Sequence, residues 1–200
     1  MGSSLIAFKA TWIVALLAAG VGAVQSLAPQ DRNRDPATIV KALDADLLAH
    51  ASATEVLGHW CADHHLADPP VIKALRDKAV TKPASGEVRT LLRATPGEEV
   101  RYRHVRLTCG VHVLSEADNW YLPDRLTPDM NRQLDQSDTP FGIVVKPLNF
   151  HRRRIEARVL ILPISVAPQP FLLRHRAVLT TGEGAPFSVV VEQYTRALLD

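Results

Sequence analysis

The chain is poor in the residues that announce a function. Aromatics make up only 6% of its 200 residues, so no stacking platform for single-stranded nucleic acid is available. Charge is nearly balanced, with 23 Lys+Arg against 21 Asp+Glu and a net charge of +2. That balance argues against a general nucleic-acid binder. There is no Gly-rich phosphate loop and no Gly-x-Ser-x-Gly elbow. There is no internal repeat either. Only two cysteines occur, Cys61 and Cys109, which is too few for a disulfide-built scaffold. They pair if the protein is exported, or stay reduced as small buried apolar groups. The run His59-Trp-Cys61-Ala-Asp-His64-His65 has the look of a metal cluster. No second pair of ligands at zinc-site spacing accompanies it, so no metal is expected.

What is present fits one globular domain. The hydrophobic fraction is 46% and 14 prolines cut the chain into short elements. Residues 1–28 stand apart: Lys9 is followed by an uncharged stretch to Val24, with small residues behind it. This has the length of a signal-peptide core and is short for a membrane span. The expectation is export to the periplasm or beyond if it is cleaved. If it is retained, the protein is membrane-anchored or cytoplasmic, and only that segment touches a membrane. Residues 29–35 read as a linker and 36–200 as the domain.

Two helices open the domain. Asp35-Pro36 starts the first, with Ile39, Val40, Leu43, Leu47 and Leu48 as its apolar stripe. Ser52-Ala-Thr-Glu55 is a capping box for the second. From Val71 the period changes to that of strands. Extended segments are expected at 71–79, 88–94, 100–109, 111–122, 150–162, 171–180 and 187–194. A short helix follows Thr127-Pro128, and Thr139-Pro140-Phe-Gly142 begins a turn or helix. Tight turns between consecutive strands require antiparallel pairing. The fold class is therefore α+β, an antiparallel sheet with the N-terminal helices packed on one face.

One strand carries a misfit. In Arg101–Cys109 alternate side chains share a face, which groups Arg103 with Val105, Leu107 and Cys109. A guanidinium turned into apolar surroundings needs an anion. That anion is a ligand's carboxylate or one of the chain's own. A register shifted by one residue would turn Tyr102, His104 and Arg106 inward instead. Glu192 closes the run Phe187-Ser-Val-Val-Val-Glu192. Apolar neighbours are expected to desolvate its carboxyl, raise its pKa and let it donate a proton. The alternative is an ordinary exposed strand end. Arg152-Arg-Arg154 and Arg174-His-Arg176 read as solvated sheet faces, or as a basic rim that attracts a small dianion.

The ordered set Arg103-His-Val-Arg-Leu107, the hairpin after it, Pro123, Thr139-Pro-Phe-Gly142, Arg174-His-Arg176 and Pro186-Phe-Ser-Val-Val-Val-Glu192 resembles the chorismate lyases (chorismate–pyruvate lyases) over about residues 36–196. The resemblance implies the six-stranded sheet shared with UTRA effector-binding domains of transcription regulators. It implies elimination of pyruvate from chorismate to give 4-hydroxybenzoate, with no cofactor. It also implies catalytic roles for Arg103 and Glu192, and substrate contacts at Arg103, Phe141, Gly142 and Asn119. Asn119 stands about where that family carries a second arginine. A noncatalytic binder of a small aromatic carboxylate on the same fold is the other expectation. No helix-turn-helix module is read ahead of the domain, so a DNA-binding regulator is not expected.

Overall fold

The computed structural model describes residues 35–160 and 170–199. The expected signal segment, nearly all of the linker and the end of the strand drawn to residue 162 lie outside the described residues.

Helix α1 spans Pro36–Ala49 and α2 spans Ala53–Asp63. In α1, Val40, Leu43 and Leu47 are buried, one face of a 3.6-residue period. Ile39 and Leu48 of the expected stripe lie at its margin, and Leu48 is exposed. The Ser52 hydroxyl caps α2 by accepting the Glu55 N–H at 3.2 Å. The Glu55 carboxylate receives Lys146 Nζ at 2.7 Å. Among the described residues no helix is long and apolar enough to cross a membrane.

Six strands follow: β1 (Ile72–Arg76), β2 (Arg101–Cys109), β3 (His112–Tyr121), β4 (His151–Val159), β5 (Phe171–Thr180) and β6 (Pro186–Thr195). They form one sheet in the order β1-β2-β3-β6-β5-β4. Every neighbouring pair is antiparallel. The last strand in sequence thus lies near the middle, between the two hairpin halves. Helix α4 (Pro128–Gln136) begins at Thr127, whose hydroxyl accepts the Met130 N–H at 3.2 Å. The short α5 (Phe141–Val144) follows.

One expected strand is a helix. The sequence points to extended chain over residues 88–94, yet α3 spans Gly86–Leu92. Ser85 caps it by accepting the Val88 N–H at 3.2 Å, and Arg93 ends it in the left-handed region at φ 50°. Val88 and Leu92, four residues apart, are both buried against Trp120, Leu122, Val178 and Val189. That spacing serves a helix face, and tertiary packing outweighs valine's strand preference. These partners belong to the sheet face opposite the one that α1 and α2 cover. The sheet is therefore covered on both sides: the N-terminal helices pack on one face, as expected, and α3 packs on the other.

The larger core joins α1 and α2 to Val105, Leu107, Leu114, Ala117, Leu173 and Tyr194. A second cluster joins α4 and α5 to Tyr121, Leu179, Phe187 and Val190. Cys61 and Cys109 are disulfide-bonded with Cα atoms 6.2 Å apart, fastening α2 to the end of β2.

Candidate functional site

Arg103 lies on β2 among Val105, Leu107 and Cys109, and it is 1% exposed. Its Nε and Nη2 have no hydrogen-bond partner among the described residues. Burial holds its pKa down to about 10. Tyr121 and Asp135 oppose that shift, while Arg76 adds to it. The Asp135 carboxylate is occupied elsewhere, at 3.0 Å from Arg76 Nη1 and 3.7 Å from Arg101 Nη1. Tyr102 and His104 face the other side. Their side chains close on Asp118 at 2.5 and 2.9 Å, and Lys82 Nζ joins them at 2.5 Å.

Arg103 forms one wall of a cavity of about 510 Å³, open mouth included. Register explains what else reaches it. Residues directly opposite on antiparallel strands share a face. Arg103 is opposite Asn119, and Asn119 is opposite Val190. In the next row Val105 is opposite Ala117, Ala117 opposite Glu192, and Glu192 opposite His175. Arg103, Asn119, Phe141, Gly142 and Glu192 all line the cavity, together with Arg152. The five residues singled out in the sequence, drawn from three strands and α5, are thus brought together.

Their settings differ. Asn119 is buried and its Oδ1 accepts the Ser188 hydroxyl at 2.6 Å, which leaves the amide NH₂ as its donor end. Phe141 belongs to an aromatic wall, 5.6 Å from the Tyr121 ring and 6.3 Å from Phe187. Gly142 lies against the start of α2. A Cβ there would come within 3.0 Å of Ser52 Oγ and 3.2 Å of Thr54 Oγ1, so its smallness is set by helix packing. Ser52, Ala53 and Thr54 line the same cavity. The first turn of a helix leaves backbone N–H groups without intrahelical partners and carries the positive end of the dipole. An anion held by Arg103 would therefore enter a pocket with a second electropositive feature.

Glu192 corrects one expectation. Its carboxyl is not left among apolar neighbours alone. Arg152 reaches it through both terminal nitrogens, Nη1 at 3.3 Å from Oε1 and Nη2 in a shorter contact with Oε2. The Tyr194 hydroxyl donates to Oε2 at 3.1 Å. Both charged side chains are 9% exposed. Arg152 is a cavity-lining residue that sequence reasoning misses, because its basic segment reads as a solvated face or rim. It sits on edge strand β4 opposite Leu179, two rows and two strands from Glu192. Ala177, small and opposite Val190, occupies the row between. Alternation alone gave no signal for such a diagonal reach. The Arg174–Arg176 segment is likewise no free basic rim: Arg174 pairs with Glu156 at 3.0 Å and Arg176 with Glu87 at 2.7 Å. His175 between them is buried, with Nε2 2.7 Å from Asp44 Oδ1. Burial pushes its pKa down, against the pull of Asp44 and Glu192.

Comparison with known proteins gives kinship. The chain is 46% identical over 179 residues to the uncharacterized protein y4mC of Sinorhizobium fredii, covering 81% of this chain and 76% of that one. The chain belongs to the y4mC family. No family model matches it. Among solved structures it is similar to the effector domain of PhnF from Mycobacterium smegmatis, at 10% identity and a TM-score of 0.49, covering 73% of this chain and 89% of that one. It is also similar to a GntR-family transcriptional regulator from Enterococcus faecalis, at 14% identity and a TM-score of 0.44, covering 64% of this chain and 96% of that one.

Proposed function

We propose that the cavity binds a small aromatic acid by its carboxylate, with Arg103 as the group that takes it. The observation that carries this reading is a buried guanidinium, short of partners, on the wall of a cavity. A carboxylate matches its forked donors in geometry and in charge. The largely apolar walls and Phe141 suit a ring.

The activity proposed for this site is elimination of pyruvate from chorismate or a close analogue. The ring carbon–oxygen bond to the enolpyruvyl group breaks, a ring proton is lost, and the ring becomes aromatic. The departing enolpyruvate gains a proton to become pyruvate. Orientation and charge matching are most of what such a reaction needs. Arg103 would hold the ring carboxylate. Asn119 is neutral, and Arg152 lines the same cavity with its charge matched by Glu192. Glu192, held by Arg152 and Tyr194, is the group placed to pass a proton.

The test is incubation of the purified protein with chorismate, following 4-hydroxybenzoate and pyruvate. Turnover lost in Arg103→Ala and Glu192→Gln is the expected result. Tight 4-hydroxybenzoate binding without turnover would favour a noncatalytic binder. The clasp of Arg152 on Glu192 is the observation on that side. Absence of both binding and turnover would sink the site altogether. We further propose that the protein works outside the cytoplasm, a setting that suits the Cys61–Cys109 bond. Mass spectrometry of the mature N-terminus checks this, and a chain that begins at Met1 would refute it.

A further inference from the structure

Arg152, although mostly buried, borders two concavities, and only one of them is the cavity described above. On the other, a second concavity of about 520 Å³, open mouth included, lies between the end of α1 and strands β4 and β5. Leu47, Leu48, His50, Arg152, Arg154 and His175 line it. Four of these six side chains are arginine or histidine, and none is a carboxylate. The neighbouring acids are engaged from behind, Glu192 with Arg152 and Asp44 with His175. Arg154 is exposed and makes no ion pair with a described residue. It follows Arg152 by two positions on one strand, so both side chains leave the same sheet face. The C-terminal end of a helix ordinarily repels anions. Here His50 Nδ1 donates to the Asp46 carbonyl at 2.8 Å and covers one of the exposed acceptors.

We propose that this concavity is a second oxyanion site, separate from the one at Arg103, with Arg154 as its open cation and Arg152 as the wall that the two share. A carboxylate or an inorganic oxyanion supplies the chemistry. Leu47 and Leu48 beside the cations also accommodate a short apolar tail.

The site is tested by titrating the full chain with inorganic phosphate and, separately, with butyrate, by calorimetry and amide NMR shifts. Saturable binding of either probe is expected, with shifts centred on α1 and β4. Arg154→Ala should weaken it by about tenfold, the worth of one charge-assisted hydrogen bond. Arg154→Glu should abolish it, and Arg103→Ala should leave it unchanged. Both Arg154 variants alter an exposed side chain and should fold. Binding that survives Arg154→Glu but is lost in Arg103→Ala would assign the anion to the first cavity and overturn the proposal. So would the absence of saturable binding at millimolar concentrations. Failure of aromatic-acid binding at Arg103 leaves this result standing, because the Arg103→Ala arm separates the two cavities.

Discussion

Two arginines are buried on one sheet face, and their surroundings treat them in opposite ways. Arg152 has a carboxylate across both of its terminal nitrogens. Burial works against its charge, yet Glu192 with Tyr194 more than offsets that and its pKa is raised. Arg103 has no such partner and its pKa falls to about 10. Side chains of one type, both nearly sealed from water, thus differ in whether desolvation has been answered inside the protein. A closed pair holds elements in place. An open cation keeps its strongest interaction for something that arrives from outside.

That contrast is broken most severely at Glu192. Glu192→Ala leaves Arg152 buried and unpaired, which should lower stability by about 3–5 kcal/mol in urea unfolding. A loss under 1 kcal/mol, roughly the worth of a surface pair, would mean that the two arginines are alike. The disulfide gives the next effect. It fastens α2 and β2, the elements on the Arg103 side, across a separation of 48 residues. Paired Cys61→Ala and Cys109→Ala substitutions should lower stability by about 2–4 kcal/mol. Amide exchange should quicken in α2 before it does in β4.

Arg103→Met should act with the opposite sign from Glu192→Ala. Removing an unpaired buried charge should stabilise the fold by about 1–3 kcal/mol while abolishing aromatic-acid binding. Its pH dependence sharpens the point. The folded pKa is depressed relative to an ordinary arginine, so the folded state binds that proton less tightly than the unfolded chain. The charged form therefore opposes folding fully below about pH 10 and less above it. The advantage of Arg103→Met over wild type should shrink as pH rises above that value. An advantage that grew there would contradict the assignment. The smallest effect is Tyr194→Phe, which removes one donor to Glu192 and should cost about 0.5–1.5 kcal/mol without loss of acid binding at Arg103.

Much of this was legible in the residues. The capping signals at Ser52 and Thr127 both formed. The strand assignments from 100 to 122 and from 171 to 194 match β2, β3, β5 and β6 to within one or two residues. The segment after Ser85 failed because Val88 suits a strand by propensity while Val88 and Leu92 together suit a helix by spacing, and only Trp120 and Val189 across the sheet decide between them. The basic segments were legible only in part: Arg153 and Arg154 are exposed as a solvated face requires, while Arg152, Arg174 and Arg176 meet carboxylates. A run of arginines looks the same whether each one meets water, Glu87, Glu156 or Glu192.

The alternation of β2 was enough to turn Arg103 inward with Val105, Leu107 and Cys109, since side-chain direction is a local property of the backbone. Whether a carboxylate of the chain would meet it there was not local at all. The register of β3 on β6 sets Glu192 opposite Ala117, one row away from Arg103. The register of β4 on β5 lets Arg152 cross to it from an edge strand 40 residues earlier in the chain. Partners so far apart are chosen by how strands stack against one another, and only the assembled sheet closed one arginine and left the other open.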